Sequence, residues 1–508
     1  MTDPRRASHP AATGLPDASA LSATPHVVVV GGGIAGLAAA AGLVERGVTV
    51  DVVERESYLG GRVGGWTEQS ADGAGLPMNR GFHAFFRQYY NLRALLCRID
   101  SGLGMLTAVE DYPLVDGQGR RDTFSGLPHT PPLNAIAFAL RSPTFRLRDL
   151  MRINARAAAP LAAVSVPGIY EQLDHLDADS FLQSINFPSA ARHLAFEVFS
   201  RSFFAEPGAL SAAELATMFH IYFLGSSEGL VFDVANANFD VALWNPLREY
   251  LESRGAKFHT GVSVNRVTTE PRLRVHCDSG VDYESDGLVL ATDVAGLQRI
   301  VDASAGLGDD PWRARIAAMG TAPPFVVQRL WLDLPVNADR APFLGTGGRP
   351  PLDNVSVLER YEKEAAEWSR RTGGSVVELH SYAVTSPDDD LGDRMLARLH
   401  ELYPETKEAK IVEERVLTRS DCPRFAPGDH AARPTVATAH PAVTLAGDGI
   451  RVDLPVALME RAATTGWSAA NRLLAHYGLA GHVLHTVPVQ GRSSALRRLA
   501  QRERRPAR

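Results

Sequence analysis

Three glycines near the start of the chain have the spacing of a phosphate-binding turn. Gly31, Gly33 and Gly36 follow four consecutive valines and fit the pattern GxGxxG. The first glycine permits a tight turn, the second lets a pyrophosphate approach the backbone, and the third lets a helix pack closely on a strand. The free amides of Ile34 and Ala35 would then face the phosphates, together with the positive end of the helix dipole. Glycines of an ordinary turn are the alternative interpretation.

The next segment supplies an acid and a cation suited to a dinucleotide. Glu54 ends a second predicted strand about 20 residues after the glycines, where a carboxylate can bind ribose hydroxyls. Two glycine pairs flank Arg62, so Gly61 allows a ligand close to the backbone while Arg62 brings a cation suited to phosphate. We therefore predict FAD rather than NAD, with Glu54, Arg55, Gly61 and Arg62 among its contacts. A glycine-rich loop with a solvated arginine is the alternative.

A further candidate contact lies toward the other end of the chain. Gly447 and Asp448 end a predicted strand, and a helix is predicted over residues 455–474. Gly447 allows close approach, Asp448 could bind a cofactor hydroxyl, and the helix dipole could stabilise a reduced flavin. The alternative is an Asx turn that caps the helix.

An aromatic-rich segment follows the cofactor loop. Residues 82–90 contain five aromatic rings together with His83, and Gly81 precedes them. Such residues could wall a flavin pocket, and Gly81 is counted among the predicted FAD contacts. Packing of the rings into the core, with His83 as an ordinary buried histidine, is the alternative interpretation.

The composition limits the classes of function. The 508 residues carry a net charge of −6 and are 45% hydrophobic, which is typical of a soluble globular protein. The charge balance gives no support to a nucleic-acid partner. Three separated cysteines form no ligand pattern, so neither a metal site nor a disulfide framework is expected. No apolar run reaches the length of about 18 residues that spans a membrane, so the expectation is a cytoplasmic protein that could still attach to a membrane surface.

The order of predicted elements indicates an α/β fold. It combines a discontinuous Rossmann-like FAD-binding domain with a mixed α+β substrate domain and a helical subdomain that could face a membrane. The first residues are rich in Ala, Ser, Pro and Thr and lack the apolar region of a signal peptide. The predicted divisions are a disordered leader at 1–25, FAD-binding segments at 26–100, 226–300 and 431–476, a helical and substrate region at 101–225, a substrate domain at 301–430 and a basic C-terminal tail at 477–508.

A basic amphipathic helix is predicted near residues 146–156. Arg148, Arg152 and Arg156 accompany apolar residues at helical spacing, as in helices that lie in a membrane interface. Asn154 interrupts the apolar stripe, so a solvated helix face explains the pattern equally well. The arginine-rich tail could add a contact with anionic lipid.

Together these motifs resemble the flavin amine oxidase and phytoene desaturase superfamily over residues of about 26–475. A narrower resemblance rests on residues 79–92, 205–223 and 225–230, which are similar to the isorenieratene synthase family of β-carotene desaturase/methylases. This resemblance implies an FAD enzyme that converts the terminal β-ionone rings of β-carotene to aromatic rings, with dehydrogenation and migration of a methyl group from C1 to C2. It also implies that Val264 touches the adenine through its backbone.

The implied reaction constrains the catalytic groups. A flavin can accept the hydrides that leave carbon, and aromatic faces can stabilise the cation that a methyl shift requires. A base must then take a proton, and His83, Glu228 and Asp453 are the candidates by their position near the motifs. No second GxGxxG lies between a strand and a helix, so we expect flavin reduction by an apolar carotenoid substrate rather than by NADPH. The final electron acceptor is unknown.

Two other functions could use the same cofactor scaffold. An amine oxidase needs a site for a polar amine, usually an aromatic cage beside the flavin, and the aromatic segment allows one. A flavoprotein with a structural FAD could bind or isomerise a polyene without net redox chemistry. The glycine motif is the same under all three hypotheses.

Overall fold

The cofactor and substrate motifs named above lie in the described part of the chain. A computed structural model describes residues 3–492 apart from 71–72, 74, 146, 193–200 and 386–387, together with residues 494 and 497–498. The strands are β1 Ala7–His9, β2 His26–Val30, β3 Thr49–Glu54, β4 Gly65–Gln69, β5 Gly75–Asn79, β6 Phe85–Phe86, β7 Leu106–Val109, β8 Leu114–Val115, β9 Arg121–Asp122, β10 Phe232–Ala235, β11 Ala256–Thr260, β12 Val264–Thr268, β13 Leu273–Cys277, β14 Asp282–Ser285, β15 Gly287–Leu290, β16 Phe325–Leu332, β17 Phe343–Gly345, β18 Asn354–Val357, β19 Ser375–Ser381, β20 Ile411–Arg419, β21 Val443–Leu445 and β22 Leu484–Thr486.

Helices cover the sheets and fill the region between them. They are α1 Ile34–Val44, α2 Tyr90–Leu96, α3 Leu133–Arg141, α4 Leu147–Leu150, α5 Ala155–Ala162, α6 Gly168–Leu173, α7 Ala178–Ser184, α8 Ala212–Phe219, α9 Asn245–Glu252, α10 Val294–Asp302, α11 Asp310–Ala317, α12 Lys363–Thr372, α13 Leu391–Leu402, α14 Asp429–Ala432 and α15 Leu458–His476. Two π-helical segments, His220–Leu224 and Asp240–Trp244, continue α8 and precede α9.

A five-stranded parallel sheet is the centre of the cofactor domain. Its strand order is β11-β3-β2-β15-β21, so it joins segments from three distant parts of the chain. The valines of β2 are at most 3% exposed. Both faces of a parallel sheet are covered, which explains why this strand is an uninterrupted apolar run. The predicted discontinuous Rossmann-like domain within an α/β fold is confirmed.

Small residues bring α1 and α15 unusually close together. A Cβ at Gly466 would overlap the carbonyl oxygen of Ala35, and a Cβ at Gly42 would lie 2.7 Å from the Cβ of Ala470. The two helices therefore pack backbone against backbone. This contact fixes the amino end of α1 beside the carboxyl edge of the sheet, where a ligand binds in folds of this type.

A seven-stranded sheet, in the order β20-β16-β19-β18-β17-β8-β9, forms the substrate domain. Within it β16 pairs antiparallel with β19, and α13 packs against them. Leu391, Met395 and Leu399 form the buried face of α13, at the spacing of one helical stripe. The sheet also recruits β8 and β9 from the predicted helical region, so the substrate domain extends beyond residues 301–430.

The described part of the predicted disordered leader is instead held in place. β1 pairs antiparallel with β22, the amide of Leu15 donates to the carbonyl oxygen of Gly478, and the amide of Ala480 donates to the carbonyl oxygen of Leu15. Asp3 accepts a hydrogen bond from Arg492 at 3.0 Å. The prediction of a disordered leader was wrong. The residues that pair with this segment lie more than 450 positions away, in the region 477–508 that was predicted to be only a basic tail.

The predicted basic amphipathic helix is not continuous. It is divided into α4 and α5, and Asn154 accepts a hydrogen bond from the amide of Ala157 as the N-cap of α5. The residue that interrupts the apolar stripe therefore starts a new helix, because an asparagine side chain satisfies free amides at a helix end. None of the described helices is long and apolar enough to cross a membrane.

Candidate active site

A cavity of about 390 Å³ lies between the cofactor sheet and the substrate sheet. On one side it is lined by the loop after β2, the end of β3 and the segment that precedes α15. On the other side it is lined by residues of β16, β17, β18 and β19. Each sheet contributes a rigid wall, which is the arrangement that holds reacting groups in fixed positions.

The three motif glycines have three different roles. Gly31 has a φ of +107°, which favours glycine, and makes the turn. A Cβ at Gly36 would overlap the carbonyl oxygen of Gly31, so this glycine lets helix and turn touch. A Cβ at Gly33 would meet no protein atom closer than 3.8 Å and would instead fill the cavity beside Gly61. The backbone at Gly33 is thus open to a ligand at the amino end of α1, as a pyrophosphate requires.

Glu54 is placed at the base of this turn. Its two carboxylate oxygens accept hydrogen bonds from the amides of Gly32 at 2.6 Å and Glu56 at 2.8 Å. Burial raises the pKa of Glu54 above its ordinary value, although the amide donors favour the charged form. The carboxylate thus ties the glycine turn to the end of β3 while it lines the cavity where a ribose would lie.

Arg62 and Asp448 meet in the cavity wall although 386 positions separate them in the sequence. Their ion pair joins the loop after β3 to the segment before α15, with Asp448 only 9% exposed. Gly447 has a φ of +145° and donates its amide hydrogen to Thr465 at 2.9 Å. Arg55 forms an ion pair of 2.9 Å with Asp293 at the rim. The predicted cofactor contacts from both ends of the chain therefore share one wall.

Most of the predicted FAD contacts line this cavity. They are Gly31, Gly33, Ile34, Ala35, Glu54, Arg55, Gly61, Arg62, Val264, Gly447 and Asp448. Gly36 lies behind the wall, where it serves the close packing that was predicted. Gly81 is also outside the lining. Its Cβ would lie 2.9 Å from His380 and 3.0 Å from Val327, so the missing side chain makes room for His380 rather than for a cofactor.

His83 lines the cavity, as expected of a candidate base. Its Nδ1 lies 2.9 Å from the carbonyl oxygen of Gly81, so Nδ1 carries the hydrogen and Nε2 is an acceptor. Burial, together with nearby arginines, lowers the pKa of His83 to about 4. The imidazole is therefore neutral near pH 7 and is poorly suited to keep a proton.

The structure contradicts the other two predicted bases. Glu228 is outside the cavity and accepts a hydrogen bond from the amide of Asp3 at 2.5 Å, which anchors the start of the described chain. Asp453 is exposed and lies 3.5 Å from Arg451. Proximity to a motif in sequence therefore did not bring either carboxylate to the cavity.

One end of the cavity is walled by aromatic rings. The ring centroids of Tyr112 and Phe232 are 4.6 Å apart, those of Phe82 and Phe343 4.4 Å, and those of Phe86 and Tyr222 4.5 Å. Rings at these separations attract one another and present apolar faces and edges to a ligand. Only two of these rings belong to the aromatic segment found in the sequence, and the others come from distant elements.

Three polar side chains on β19 and immediately after it were missed by the sequence-based prediction. Glu378, His380 and Tyr382 alternate at every second position, and His380 and Tyr382 line the cavity. Residues at this spacing share one face of a strand. That alternation, inside a run otherwise typical of a buried strand, is the signal that could have revealed them. Arg329 of β16 lies directly opposite Glu378. It was also missed, because it lies inside a strand that otherwise reads as a buried apolar run.

A glycine turn open to a pyrophosphate and a buried acid at the end of the next strand are typical of a dinucleotide-binding oxidoreductase. In such an enzyme the opposite wall of the cavity, here formed by the substrate sheet, receives the substrate. The chain belongs to the family of flavin-containing amine oxidoreductases, whose family model matches residues 34–474. It is an FAD-dependent oxidoreductase, and this confirms the predicted cofactor and enzyme class.

Curated relatives cover almost the whole chain. A carotenoid φ-ring synthase of Streptomyces griseus is 57% identical over 94% of this chain and 93% of its own length. A carotenoid φ-ring synthase of Chlorobaculum tepidum is 26% identical over 93% of this chain and 92% of its own length. The ζ-carotene desaturase of Synechocystis sp. is 26% identical over 89% of this chain and 97% of its own length. The resemblance to carotenoid-modifying flavoenzymes is confirmed.

Solved structures share the fold at low sequence identity. Putrescine oxidase bound to putrescine matches with a TM-score of 0.65 and 15% identity over 89% of this chain and 99% of its own. Cyclohexylamine oxidase of Brevibacterium oxydans matches with a TM-score of 0.63 and 16% identity over 90% of this chain and all of its own. These similarities establish the architecture alone.

Proposed function

We propose that this enzyme desaturates the β-ionone rings of β-carotene and shifts a methyl group to give aromatic rings, as in an isorenieratene-type product. The observation that carries this proposal is the aromatic end of the cavity, which continues directly from the wall that holds the cofactor. The names of the curated relatives at 57% and 26% identity support the same substrate class.

The aromatic wall suits both the substrate and its reaction. A carotenoid end ring is apolar, and its removal from water favours binding by about 25 cal/mol for each Å² of apolar surface. A methyl shift passes through a cation, which the faces of rings such as Phe86, Tyr112, Tyr222 and Phe232 can stabilise in a dry site. Residues of the wall would therefore orient the ring, exclude water and lower the energy of the charged intermediate.

The cofactor end of the same cavity supplies the oxidant. Bound FAD accepts hydride from carbon, and the chain's own residues would hold it in place. We assign the phosphates to the open backbone at Gly33 and the amides of Ile34 and Ala35, a ribose to Glu54, and the adenine to the backbone at Val264. Arg62 and Asp448 would fix the opposite side, since their ion pair joins the two cofactor segments.

An amine substrate fits this wall less well than a polyene. The aspartates among the described lining residues each have an arginine partner, in the pairs Asp293 with Arg55, Asp353 with Arg201, Asp421 with Arg80, and Asp448 with Arg62. An ammonium group that approached one of these aspartates would therefore have to compete with an arginine that is already bound to it.

We also propose that α3 attaches the enzyme to an anionic membrane surface, where a carotenoid dissolves. Leu133, Ile136 and Leu140 lie on one face of α3 and are 55%, 51% and 68% exposed. On the opposite face, Phe138 stacks on the cavity residue Phe124 with centroids 4.9 Å apart. Exposed arginines of α4 and α5 lie nearby in sequence and could contact anionic lipid headgroups.

The reaction is tested by incubating FAD-loaded protein with β-carotene in liposomes. Formation of aromatic-ring products together with flavin reduction supports the proposal. Hydrogen peroxide release from amines without any change in β-carotene would replace it with amine oxidation. Bound pigment of unchanged mass would indicate a polyene-binding flavoprotein without net redox chemistry.

Membrane attachment is tested by flotation with anionic liposomes. The triple variant Leu133→Ser, Ile136→Ser, Leu140→Ser should float less than the wild type while it keeps its FAD. The matched control changes Val412 and Val416, which are each 56% exposed on β20, to serine. Equal flotation of the triple variant and the wild type would reject α3 as the attachment surface.

A further inference from the structure

A chain of hydrogen bonds runs from the buried interior of the substrate sheet to the cavity wall. Glu378 and His380 are each 1% exposed, and Tyr382, two residues further along, lies at the cavity surface. Glu378 and His380 share one face of β19 because β-strand side chains alternate, and Tyr382 follows the end of the strand at the same spacing. The sheet thus presents a tyrosine to the cavity with a histidine and a carboxylate behind it.

The partners at each end define the direction of these hydrogen bonds. Arg329 donates from Nε to Oε2 of Glu378 at 2.9 Å, and its Nη2 forms an ion pair with the same oxygen at 2.8 Å. Oε1 of Glu378 lies 2.8 Å from Nε2 of His380. The hydroxyl of Tyr382 lies 3.0 Å from Nδ1 of His380, and Asn354 donates to the same hydroxyl at 3.0 Å.

The carboxylate fixes the tautomer of His380. Burial opposes ionisation of Glu378, but Arg329 and His380 outweigh it and lower the pKa of Glu378 to about 2. An ionised carboxylate only accepts hydrogen bonds, so Nε2 of His380 must donate to it. Nδ1 then carries a lone pair and accepts the hydrogen of the Tyr382 hydroxyl. Because Asn354 already donates to this oxygen, Tyr382 has one acceptor direction left for a ligand.

His83 differs from His380 in its hydrogen-bond partner. Its Nδ1 hydrogen bond is to the carbonyl oxygen of Gly81, and the ion pairs of the described residues give it no carboxylate. His380 lies close by, packed where Gly81 lacks a Cβ, but has Glu378 at 2.8 Å. Of the two histidines at the cavity, His380 is the one with a carboxylate at hydrogen-bond distance.

We propose that Tyr382 and His380 form the proton-accepting relay of ring aromatisation and that Glu378 is its positioning residue. This inference rests on the proposed function. After a hydride has left to FAD and the methyl group has moved, a C–H bond of the cationic ring breaks and its electron pair becomes the ring double bond. The proton binds the oxygen of Tyr382, whose own proton moves to Nδ1 of His380. When product leaves, the proton returns along the same route to water.

The test uses the FAD-loaded full chain with β-carotene in liposomes. Tyr382→Phe keeps the ring of Tyr382 and removes only the oxygen, so we expect unchanged FAD content and an unchanged apparent KM. We expect kcat for the aromatic product to fall about 10²-fold, which is the contribution of a general base. Tyr477→Phe is the matched control, because the Tyr477 hydroxyl is buried outside the cavity.

A second variant tests the histidine independently. His380→Ala leaves space for a small base beside Gly81, so added imidazole should restore kcat at least about tenfold without a change in KM. Restoration would not occur if His380 served only to pack the sheet. Melting temperature and FAD absorbance of each variant report its folding apart from its activity.

The outcomes separate the relay from the proposed reaction. A wild type that leaves β-carotene unchanged rejects the proposed function. An active wild type with an equally active Tyr382→Phe rejects the relay alone, and so does a Tyr382→Phe variant that loses FAD or raises KM while kcat is kept. A loss of kcat in both variants, with rescue of His380→Ala by imidazole, supports the relay.

Discussion

Replacing Gly33 with valine should abolish FAD binding and leave the fold intact. A Cβ at this position lies 3.8 Å from the nearest protein atom and points into the cavity, so the larger side chain meets the cofactor and not the protein. Displacement of the pyrophosphate would remove contacts with amides at the start of α1. Two hydrogen bonds to a charged group are worth about 1.5–3 kcal/mol each, so about 3–6 kcal/mol is lost and Kd rises about 10²- to 10⁴-fold.

The assay compares flavin content and folding in parallel. Gly33→Val is purified, its flavin absorbance is measured, and its thermal unfolding is compared with that of wild-type apoprotein, since bound FAD itself stabilises the folded state. Gly208→Val is the matched control, because Gly208 has no atom within 4 Å of its Cβ and lies outside the cavity. Gly36→Ala should instead destabilise the apoprotein through overlap with Gly31. A yellow, FAD-loaded Gly33→Val would refute the assignment of the phosphates.

Three further changes have defined outcomes. Glu54→Gln should weaken FAD binding about tenfold, measured by titration of the apoprotein, since an amide cannot accept hydrogen bonds from both Gly32 and Glu56. Glu460 of α15 is buried and accepts hydrogen bonds from the amides of Asn91 and Leu92. Burial outweighs these donors and raises the pKa of Glu460 from 4.5 to about 8, so the contribution of Glu460 to stability is present below pH 4.5 and is lost as pH rises through about 8. Urea unfolding at several pH values should show this loss in the wild type and not in Glu460→Gln. Deletion of residues 2–10 should lower the melting temperature, because β1 would no longer pair with β22; an unchanged value would contradict a structural role for this segment.

Local patterns were sufficient to predict the first part of the cofactor domain. The glycine turn, β3 and Glu54 lie within about 30 residues of one another, so their geometry is set by short-range rules of strand, turn and helix. Val264, Gly447 and Asp448 are distant, and they were found only because the family resemblance or a second glycine motif pointed to them. The ion pair of Arg62 with Asp448 could not be derived from spacing.

The failed predictions concern residues whose surroundings are set by long-range contacts. Glu228 was proposed as a base because it lies in a motif, yet its partner is Asp3 at the other end of the described chain. The same contact helps to hold the described part of the predicted leader in place, together with the pairing of β1 with β22. No property of residues 1–25 taken alone shows that a strand at 484–486 will accept them.

The register of the substrate sheet determines the chemistry of the second wall. Pairing of β16 with β19 places Arg329 opposite Glu378, and the alternation along β19 then directs the side chains that include Tyr382 toward the cavity. A slip of one residue would turn every one of these side chains to the other face and would bury an arginine without its carboxylate. The buried ion pair therefore specifies the register on which the proposed proton relay depends. For this reason the three functional hypotheses, which share the same glycine turn, are distinguished by residues of this sheet and of the aromatic wall.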